Sequence, residues 1–270
     1  MTGMEAAPKK KGIAMLFSGG LDTTLEVVAR LDEYESIYLL TFNNGYCINM
    51  GGARRRALEL GRVFGPGRIR HEEADTSPLL KKLLHDSGGV LDQFKSPLVF
   101  DLACKVSAVV ELVYFAKVNG LSDVTDGSSE AQTEIFLQDP EFAAHIKPAF
   151  ARYGLSFIRP FRFHMGRDEK IELLRKHGLR RGVKALEKVF ITSQLVHQPF
   201  CLRGCVTYFF TSPLRHLSIV DRIALPMDKA KAAWDAVAPI ALDWLDQRLA
   251  EAGVATGPGE SPAGEGSAHE

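Results

Sequence analysis

The sequence predicts an α/β fold in which helices cover both faces of a doubly wound parallel sheet. Apolar or β-branched runs of strand length alternate along the chain with longer stretches of helical periodicity. Each pair of strands is separated by enough residues for a helix, as right-handed crossovers between parallel strands require. The 270 residues, 46% of them hydrophobic, are sufficient for one full core.

The first half of the chain shows this alternation clearly. Ile13–Phe17 is apolar and has the length of a buried strand, and Leu25–Leu31 follows with amphipathic spacing. Ser36–Phe42 is β-branched and aromatic and predicts a second strand, which Asn43-Asn44-Gly45 ends. Ala53–Phe64 places its apolar residues at helical spacing. The sequence therefore predicts a strand–helix–strand–helix start.

The second half continues the pattern with a long central helix. Asp101–Val118 is mostly apolar and ends at Asn119-Gly120, a pair that favours a helix C-terminus. The other predicted strands are Arg68–Ala74, Leu121–Thr125 and Leu155–Pro160, and the other predicted helices are Pro78–Leu84, Arg167–Lys176 and Asp228–Ala252.

Four segments are expected along the chain. Residues 1–11 are polar and predict a flexible N-terminus, and residues 12–225 form the α/β domain. Residues 226–256 predict a C-terminal helix that packs on this domain through its tryptophans. Residues 257–270 are rich in Gly, Pro, Ser and Glu, bury little apolar area and predict a disordered tail.

The composition excludes several classes of protein. The 33 basic residues balance the 33 acidic ones, so no bulk field attracts nucleic acid or membrane. No apolar run has the length of a membrane span, and residues 1–11 lack the apolar centre of a signal peptide. We therefore expect a cytoplasmic protein without a membrane partner, whose four cysteines are thiols or metal ligands rather than disulfides.

The loop after the first strand carries the strongest functional signal. Its sequence is Ser18-Gly19-Gly20-Leu21-Asp22-Thr23-Thr24, between a predicted strand and a predicted helix. Glycine permits close approach of backbone N–H groups, and a helix N-terminus attracts anions. Because ligands bind beyond the carboxyl ends of parallel strands, loops 18–24, 43–52 and 126–133 are expected to meet at one site.

This loop resembles the S-G-G-x-D-[ST]-[ST] loop of the PP-loop ATP pyrophosphatases, whose sheet is of the Rossmann-like PP-loop (HUP) type. The resemblance implies that ATP phosphates are bound by Ser18, Gly19, Gly20, Asp22, Thr23 and Thr24. Asp22 would act catalytically by orienting them through Mg²⁺, since a carboxylate otherwise repels polyphosphate. Asn43 and Asn44 would border the adenosine. The opposite side of the nucleotide would be lined by Asp126, Gly127, Ser128 and Ser129.

Three of the cysteines suggest a shared chemistry. Cys104 lies near the start of the predicted central helix, a position that lowers the pKa of a thiol. Cys201 and Cys205 form a C-x3-C pair, and with Cys104 they offer three thiolates. Three protein ligands leave an open position on a 4Fe-4S cluster for hydrosulfide. The alternative is three buried cysteines without a common role, and Cys47 is expected only to pack.

The middle of the chain is similar to the sulfur-transferring branch of the PP-loop enzymes. The resemblance is carried by Leu102-Ala103-Cys104-Lys105, the segment Val124–Thr133 and the segment Pro199–Cys205. It implies that ATP converts an acceptor oxygen into an adenylate, which sulfur then displaces. The sulfur would come from a persulfide on Cys104 or from hydrosulfide on the cluster. The donor would be hydrosulfide or a persulfide carrier.

Two other functions stay open at this point. The loop resembles that of argininosuccinate synthetase almost as closely, so a ligase that adenylates a carboxylate and uses nitrogen is one of them. A nucleotide- or metal-binding module without activity is the other. The balanced charge favours a small-molecule or nucleobase-like acceptor over tRNA, and a homodimer is one arrangement that we consider.

Several basic residues and histidines receive no firm role. The run Arg54-Arg55-Arg56 is expected to be a solvated helix start, because consecutive residues do not share one helix face. Arg159 and Arg162 flank a strand end and are better placed for the site. The residues left without an assignment are Arg180, Arg181, Lys184, His164, His197 and His216.

Overall fold

A computed structural model describes residues 8–86, 93–94, 96, 98–125, 140–158, 166–179, 200–201 and 225–257. Its strands are β1 (Lys10–Leu16), β2 (Tyr34–Asn43), β3 (Cys47–Ile48), β4 (Ile69–Asp75), β5 (Asp123–Thr125), β6 (Ser156–Phe157) and β7 (Phe200–Cys201). Its helices are α1 (Leu21–Arg30), α2 (Met50–Phe64), α3 (Ser77–Asp86), α4 (Leu98–Val118), α5 (Pro140–Ala151), α6 (Arg167–Lys176) and α7 (Met227–Glu251).

The main sheet has five parallel strands in the order β4–β2–β1–β5–β6. Met15 of β1 pairs with Leu39 on one side and with Thr125 on the other. The chain moves outward from β1 first toward β4 and then toward β6, so the direction of winding reverses beside β1. Such a switch point opens a crevice at the carboxyl ends of the strands.

Helices cover both faces of this sheet, and successive side chains of β1 point alternately into the two cores that these helices form. Ile13 and Met15 pack in a core with residues of α1, α2 and α6. Ala14 and Leu16 face the opposite core, to which α3, α4, α5 and α7 contribute. A central parallel strand is buried on both faces and therefore reads as a continuous apolar run. The predicted α/β class with a doubly wound parallel sheet is confirmed.

The ends of two helices differ from the predictions in a way that affects the site. α1 begins at Leu21 rather than Leu25, so Asp22 and Thr23 lie in its first turn. α4 begins at Leu98 rather than Asp101. A second sheet of two short antiparallel strands, β3 and β7, was not predicted, and it pairs Cys47 with Cys201.

The C-terminal helix packs on the α/β domain as predicted. Trp234 of α7 is buried, and its ring centroid lies 5.9 Å from that of Phe150 in α5. Leu245 and Leu249 are completely buried in the core that also holds Val124 of the central sheet. In the part of the chain that the structure describes, no helix is long and apolar enough to cross a membrane.

A buried ion pair on α1 predicts a large loss of stability when it is broken. Arg30 Nε donates to Glu26 Oε1 at 2.9 Å, and both side chains are almost fully buried. Because Arg30→Met leaves the Glu26 carboxylate without the guanidinium, we expect the free energy of unfolding to fall by about 3–5 kcal/mol. Urea denaturation measures it. Adding Glu26→Gln should recover part of the loss, and a loss below about 1 kcal/mol would contradict the prediction.

Candidate functional site

The loop between β1 and α1 is held by hydrogen bonds within itself. Gly20 N–H donates to Ser18 Oγ at 3.2 Å, and Ser18 Oγ lies 3.3 Å from Thr23 Oγ1. The buried Thr24 hydroxyl donates to Gly20 O at 2.6 Å. Gly20 occupies the N-cap, where no side chain caps α1. The first-turn N–H groups of a helix have no intrahelical acceptor, so this end suits an anion.

Gly19 has a conformation and a packing that exclude other residues. Its φ angle is +71°, in the left-handed region that favours glycine. A Cβ at this position would lie 2.8 Å from Ala53 Cα, at the start of α2. The loop is therefore pressed against α2 through a glycine backbone, which explains why the motif needs glycine here.

The residue before the loop is tied to the neighbouring strand. Phe17 N–H donates to Leu40 O at 2.7 Å, and the Thr41 hydroxyl donates to Phe17 O at 2.7 Å. His71 Nε2 lies 2.9 Å from Thr41 Oγ1. Since the single hydroxyl hydrogen is already directed at Phe17, the imidazole donates to Thr41. Burial lowers the pKa of His71, in agreement with a neutral ring. These contacts fix the loop at the switch point.

Asp22 is paired with a lysine from a distant element. Lys170 Nζ in α6 donates to Asp22 Oδ1 at 2.6 Å, and Lys170 is buried. Lys170 is not among the residues predicted from the sequence. The available signal was its place on the apolar face of α6, since Lys170 and Leu174 are four residues apart and both are buried. The loop thus has a carboxylate and an ammonium group side by side.

The two asparagines at the end of β2, Asn43 within the strand and Asn44 directly after it, have separate environments. Asn43 Oδ1 accepts the Gly45 N–H at 3.0 Å, and Asn43 O accepts the Thr76 N–H at 2.9 Å. Asn44 is buried, and its side chain is directed at cysteines. The predicted place of Asn43 and Asn44 beside an adenosine stays a prediction, and the structure adds a contact with sulfur for Asn44.

Three cysteines from three elements surround the Asn44 side chain. Asn44 Nδ2 donates to Cys104 Sγ at 3.2 Å and to Cys201 Sγ at 3.4 Å. Asn44 Oδ1 accepts the Tyr46 N–H at 2.9 Å and the Cys47 thiol at 3.2 Å. The Cys104 and Cys201 side chains also hydrogen-bond with each other. The predicted association of Cys104 with Cys201 is present. Cys47, which was expected only to pack, joins the same group through its contact with Asn44.

The prediction of a lowered pKa for Cys104 is wrong. Because α4 begins at Leu98, Cys104 lies six residues beyond the first helical residue, away from the positive end of the helix. The hydrogen bond with Cys201 and then burial raise the pKa of Cys104, whereas the Asn44 amide acts in the opposite direction. Burial also raises the pKa of Cys47. Both thiols are therefore neutral at pH 7 in this conformation.

The described residues do not assemble the ligand set predicted for a 4Fe-4S cluster. No three His, Cys, Asp or Glu side chains among them are arranged to hold a metal ion. Cys104 and Cys201 face the Asn44 amide, and Cys205 lies outside the described residues. The cluster therefore stays a prediction, of whose three ligands the structure describes Cys104 and Cys201.

The Asp22 carboxylate, in the loop of Ser18–Thr24, is of the ligand type that Mg²⁺ prefers. Mg²⁺ in nucleotide sites is bound by one or two carboxylates together with substrate phosphates. Asp22 stands in the first turn of α1, beside the N–H groups that suit phosphate. Asp22 is thus the residue of this loop that would hold the ion.

Within the run Arg54-Arg55-Arg56 on α2, Arg56 is paired and the other two arginines are exposed. Arg56 Nη1 lies 2.6 Å from Glu59 Oε2, whereas Arg54 and Arg55 are solvent-exposed. Arg54 and Arg55 are thus solvated as expected, whereas the Arg56 side chain is only 12% exposed. The run lies in the second turn rather than at the helix start, because α2 begins at Met50. The predicted residues that lie outside the described part of the chain are Asp126, Gly127, Ser128, Ser129, Arg159, Arg162, His164, Arg180, Arg181, Lys184, His197, Cys205 and His216.

Comparisons with known proteins add little to this description. No family model matches the chain, and no curated protein matches its sequence. A solved structure described as a predicted subunit of a tRNA methyltransferase, from Methanocaldococcus jannaschii, is 17% identical with a TM-score of 0.36. The match covers 62% of this chain and 76% of that one. A likeness this weak shows neither a family nor an activity.

Proposed function

We propose that this protein is an ATP-dependent sulfur-inserting enzyme, a sulfurtransferase of the PP-loop type. The observation that carries the proposal is the pairing of Cys104 and Cys201 on the Asn44 amide. Asn44 follows β2, at the same carboxyl edge as the loop that follows β1, and it brings the pair to that edge. An activating loop and a pair of thiols at one edge are what a two-step sulfur insertion needs.

The first proposed step is adenylation at the loop of Ser18 to Thr24. The first-turn N–H groups of α1 and the Lys170 ammonium group favour the phosphates of ATP. Mg²⁺ held by Asp22 would neutralise phosphate charge. An oxygen of the acceptor attacks the α-phosphorus, the bond to pyrophosphate breaks, and acceptor adenylate and pyrophosphate result.

The second proposed step transfers sulfur through Cys104. A persulfide donor passes its outer sulfur to Cys104 and leaves as a thiol. The Cys104 persulfide attacks the adenylated carbon and AMP leaves, so that the acceptor is joined to Cys104 through a disulfide bond. The Cys201 thiolate then attacks Cys104 Sγ, which releases the thiolated product and leaves a Cys104–Cys201 disulfide. An external thiol reductant restores both thiols.

The acceptor in this proposal is a small molecule or a nucleobase-like group. The net charge of the chain is zero, which gives no general attraction to an RNA backbone. tRNA is the second acceptor class to test, and a cytoplasmic location goes with the reduced thiols.

Product analysis of the wild-type protein tests the proposed function. The protein is incubated with Mg-ATP, a persulfide donor and panels of small oxo-acceptors or tRNA. We expect AMP and pyrophosphate together with an acceptor in which sulfur has replaced oxygen, detected by mass spectrometry. A product that needs ammonium instead would establish the ligase alternative. No AMP with any acceptor would overturn adenylation.

Anaerobic purification tests the cluster prediction in the same samples. A colourless protein without iron or labile sulfide, active with a persulfide donor, is the expected result. A brown protein whose iron is lost on Cys201→Ser substitution would instead establish a cluster and contradict transfer through a Cys104 persulfide.

A further inference from the structure

The orientation of the Asn44 amide is fixed by its own hydrogen bonds. A backbone N–H can only donate, so the atom that meets the Tyr46 N–H at 2.9 Å is the carbonyl oxygen Oδ1. The NH₂ group therefore faces Cys104 and Cys201. An NH₂ group has two hydrogens, and here it has two sulfur acceptors. Asn44 thus uses both of its donors on the thiol pair.

This arrangement is well suited to sulfur that carries negative charge. A neutral thiol sulfur is a weak acceptor, and a buried amide normally satisfies its donors with oxygen. Hydrogen bonds to a charged acceptor are roughly twice as strong as those between neutral partners. A thiolate or persulfide at Cys104 or Cys201 would make full use of the two N–H donors that a pair of neutral thiols does not.

The amide also connects elements that are distant in sequence. Asn44 follows β2, Cys104 lies in α4 and Cys201 lies in β7. The two sulfur atoms share one NH₂ group, so each is held close to the other. A pair of thiols that must form and break a disulfide needs this kind of constraint on both sulfur positions.

We propose that Asn44 is the positioning residue of the thiol pair. It holds Cys104 and Cys201 within reach of each other and donates to whichever sulfur becomes anionic during their reaction. Its meaning for catalysis rests on the proposed function, since that function forms a Cys104–Cys201 disulfide in each turnover. The positioning itself depends only on the contacts above.

An Asn44→Asp variant separates positioning of sulfur from support of the loop. Asp has nearly the same shape and keeps an oxygen that accepts the Tyr46 N–H, so the turn after β2 is retained. It replaces the NH₂ donors with an oxygen that repels anionic sulfur. Asn44→Ala removes both the NH₂ donors and the oxygen that accepts the Tyr46 N–H, and it serves as the comparison.

Oxidation by diamide gives a readout that needs neither ATP nor acceptor. Two thiols lose two electrons and two protons, which diamide takes up to become a hydrazine, and a disulfide forms. Peptide mapping by mass spectrometry identifies the Cys104–Cys201 disulfide and follows its rate. In the wild-type protein we expect the Cys104–Cys201 disulfide to be the first product among the four cysteines of this sequence.

Asn44→Asp should slow this disulfide at least about 10-fold while the melting temperature stays within a few degrees of the wild-type value. Wild-type rates in a folded Asn44→Asp variant would overturn the proposal, because the loop contact alone would then explain Asn44. Should the wild-type protein form the disulfide in this Asn44-dependent way but make no thiolated product, the proposed function fails and the positioning role stands.

Discussion

A Cys104→Ser variant should make no thiolated product, with the rate of sulfur insertion reduced at least about 10³-fold. The serine hydroxyl has nearly the shape of the thiol but cannot carry a sulfur atom to the adenylate. Binding of Mg-ATP should be retained, because Cys104 lies on α4 and the phosphates are expected at the start of α1. Product formation by mass spectrometry and ATP affinity by calorimetry measure the two effects.

Cys47→Ser is the matched control for this substitution. Cys47 is also half-buried beside Asn44, and a serine hydroxyl there would still donate to Asn44 Oδ1 as the thiol does. Its activity should therefore stay within a few-fold of the wild-type rate. If Cys104→Ser kept the wild-type rate, sulfur would not pass through Cys104, and the nitrogen-using ligase would become the better hypothesis.

The pH dependence of the first sulfur step follows from the environment of Cys104. The hydrogen bond with Cys201 and burial raise the pKa of Cys104, so its thiolate form increases as the pH rises above neutrality. Persulfide formation on the wild-type protein should accelerate from pH 7 to pH 9. A persulfide yield followed by mass spectrometry checks this. A rate independent of pH over that interval would show that the attacking thiol is already ionised at pH 7.

The sheet and most helices could be predicted because their signals are local. The run Ile13–Phe17 is apolar without interruption, which is typical of a strand buried on both faces, and β1 has that environment. The Ser18–Thr24 loop was found for the same reason, since a short contiguous sequence holds both its glycines and its helix start. Hydrogen bonds within these seven residues give the loop its internal conformation, whereas β2 and α2 fix its position.

The contacts that complete the site were not predictable in the same way. Lys170 is 148 residues from Asp22, and its place on the apolar face of α6 gave only a weak signal. Cys201 meets Cys47 through strands of two residues each, which are too short to show any periodicity. The orientation of Asn44 depends on a backbone N–H two residues away and on sulfurs in two other elements. Tertiary packing determines all three.

Asp22 and Lys170 form an ion pair at the loop of Ser18–Thr24. Lys170 is buried, so its ammonium group needs an anion nearby. Asp22 provides that anion in this structure. In the proposed function, the phosphates of ATP would pair with Lys170 and leave Asp22 available for Mg²⁺. Two roles of Asp22 have to be separated, which are to neutralise the charge of Lys170 and to hold the metal ion.

An Asp22→Asn variant should lose at least about 10²-fold in formation of acceptor adenylate, because charge stabilisation by a metal ion contributes several kcal/mol. Asparagine keeps the shape of the side chain and removes its charge. Release of pyrophosphate in the presence of acceptor measures the rate, and calorimetry measures the affinity for ATP with and without Mg²⁺. We expect the gain in affinity that Mg²⁺ gives to the wild-type protein to be largely lost.

The double variant Asp22→Asn/Lys170→Gln separates neutralisation of Lys170 from binding of Mg²⁺. It removes both charges of the pair, so no unpaired ammonium group remains beside α1. The single variant Lys170→Gln is the reference, because it lacks the ammonium group whose charge Asp22 would neutralise. If Asp22 served only to neutralise Lys170, the double variant would form the adenylate at the rate of Lys170→Gln. If Asp22 holds Mg²⁺, the double variant should be at least about 10²-fold slower than Lys170→Gln, because the metal ligand is lost as well. A double variant as active as Lys170→Gln would thus remove Asp22 from the metal site and leave it as the partner of Lys170.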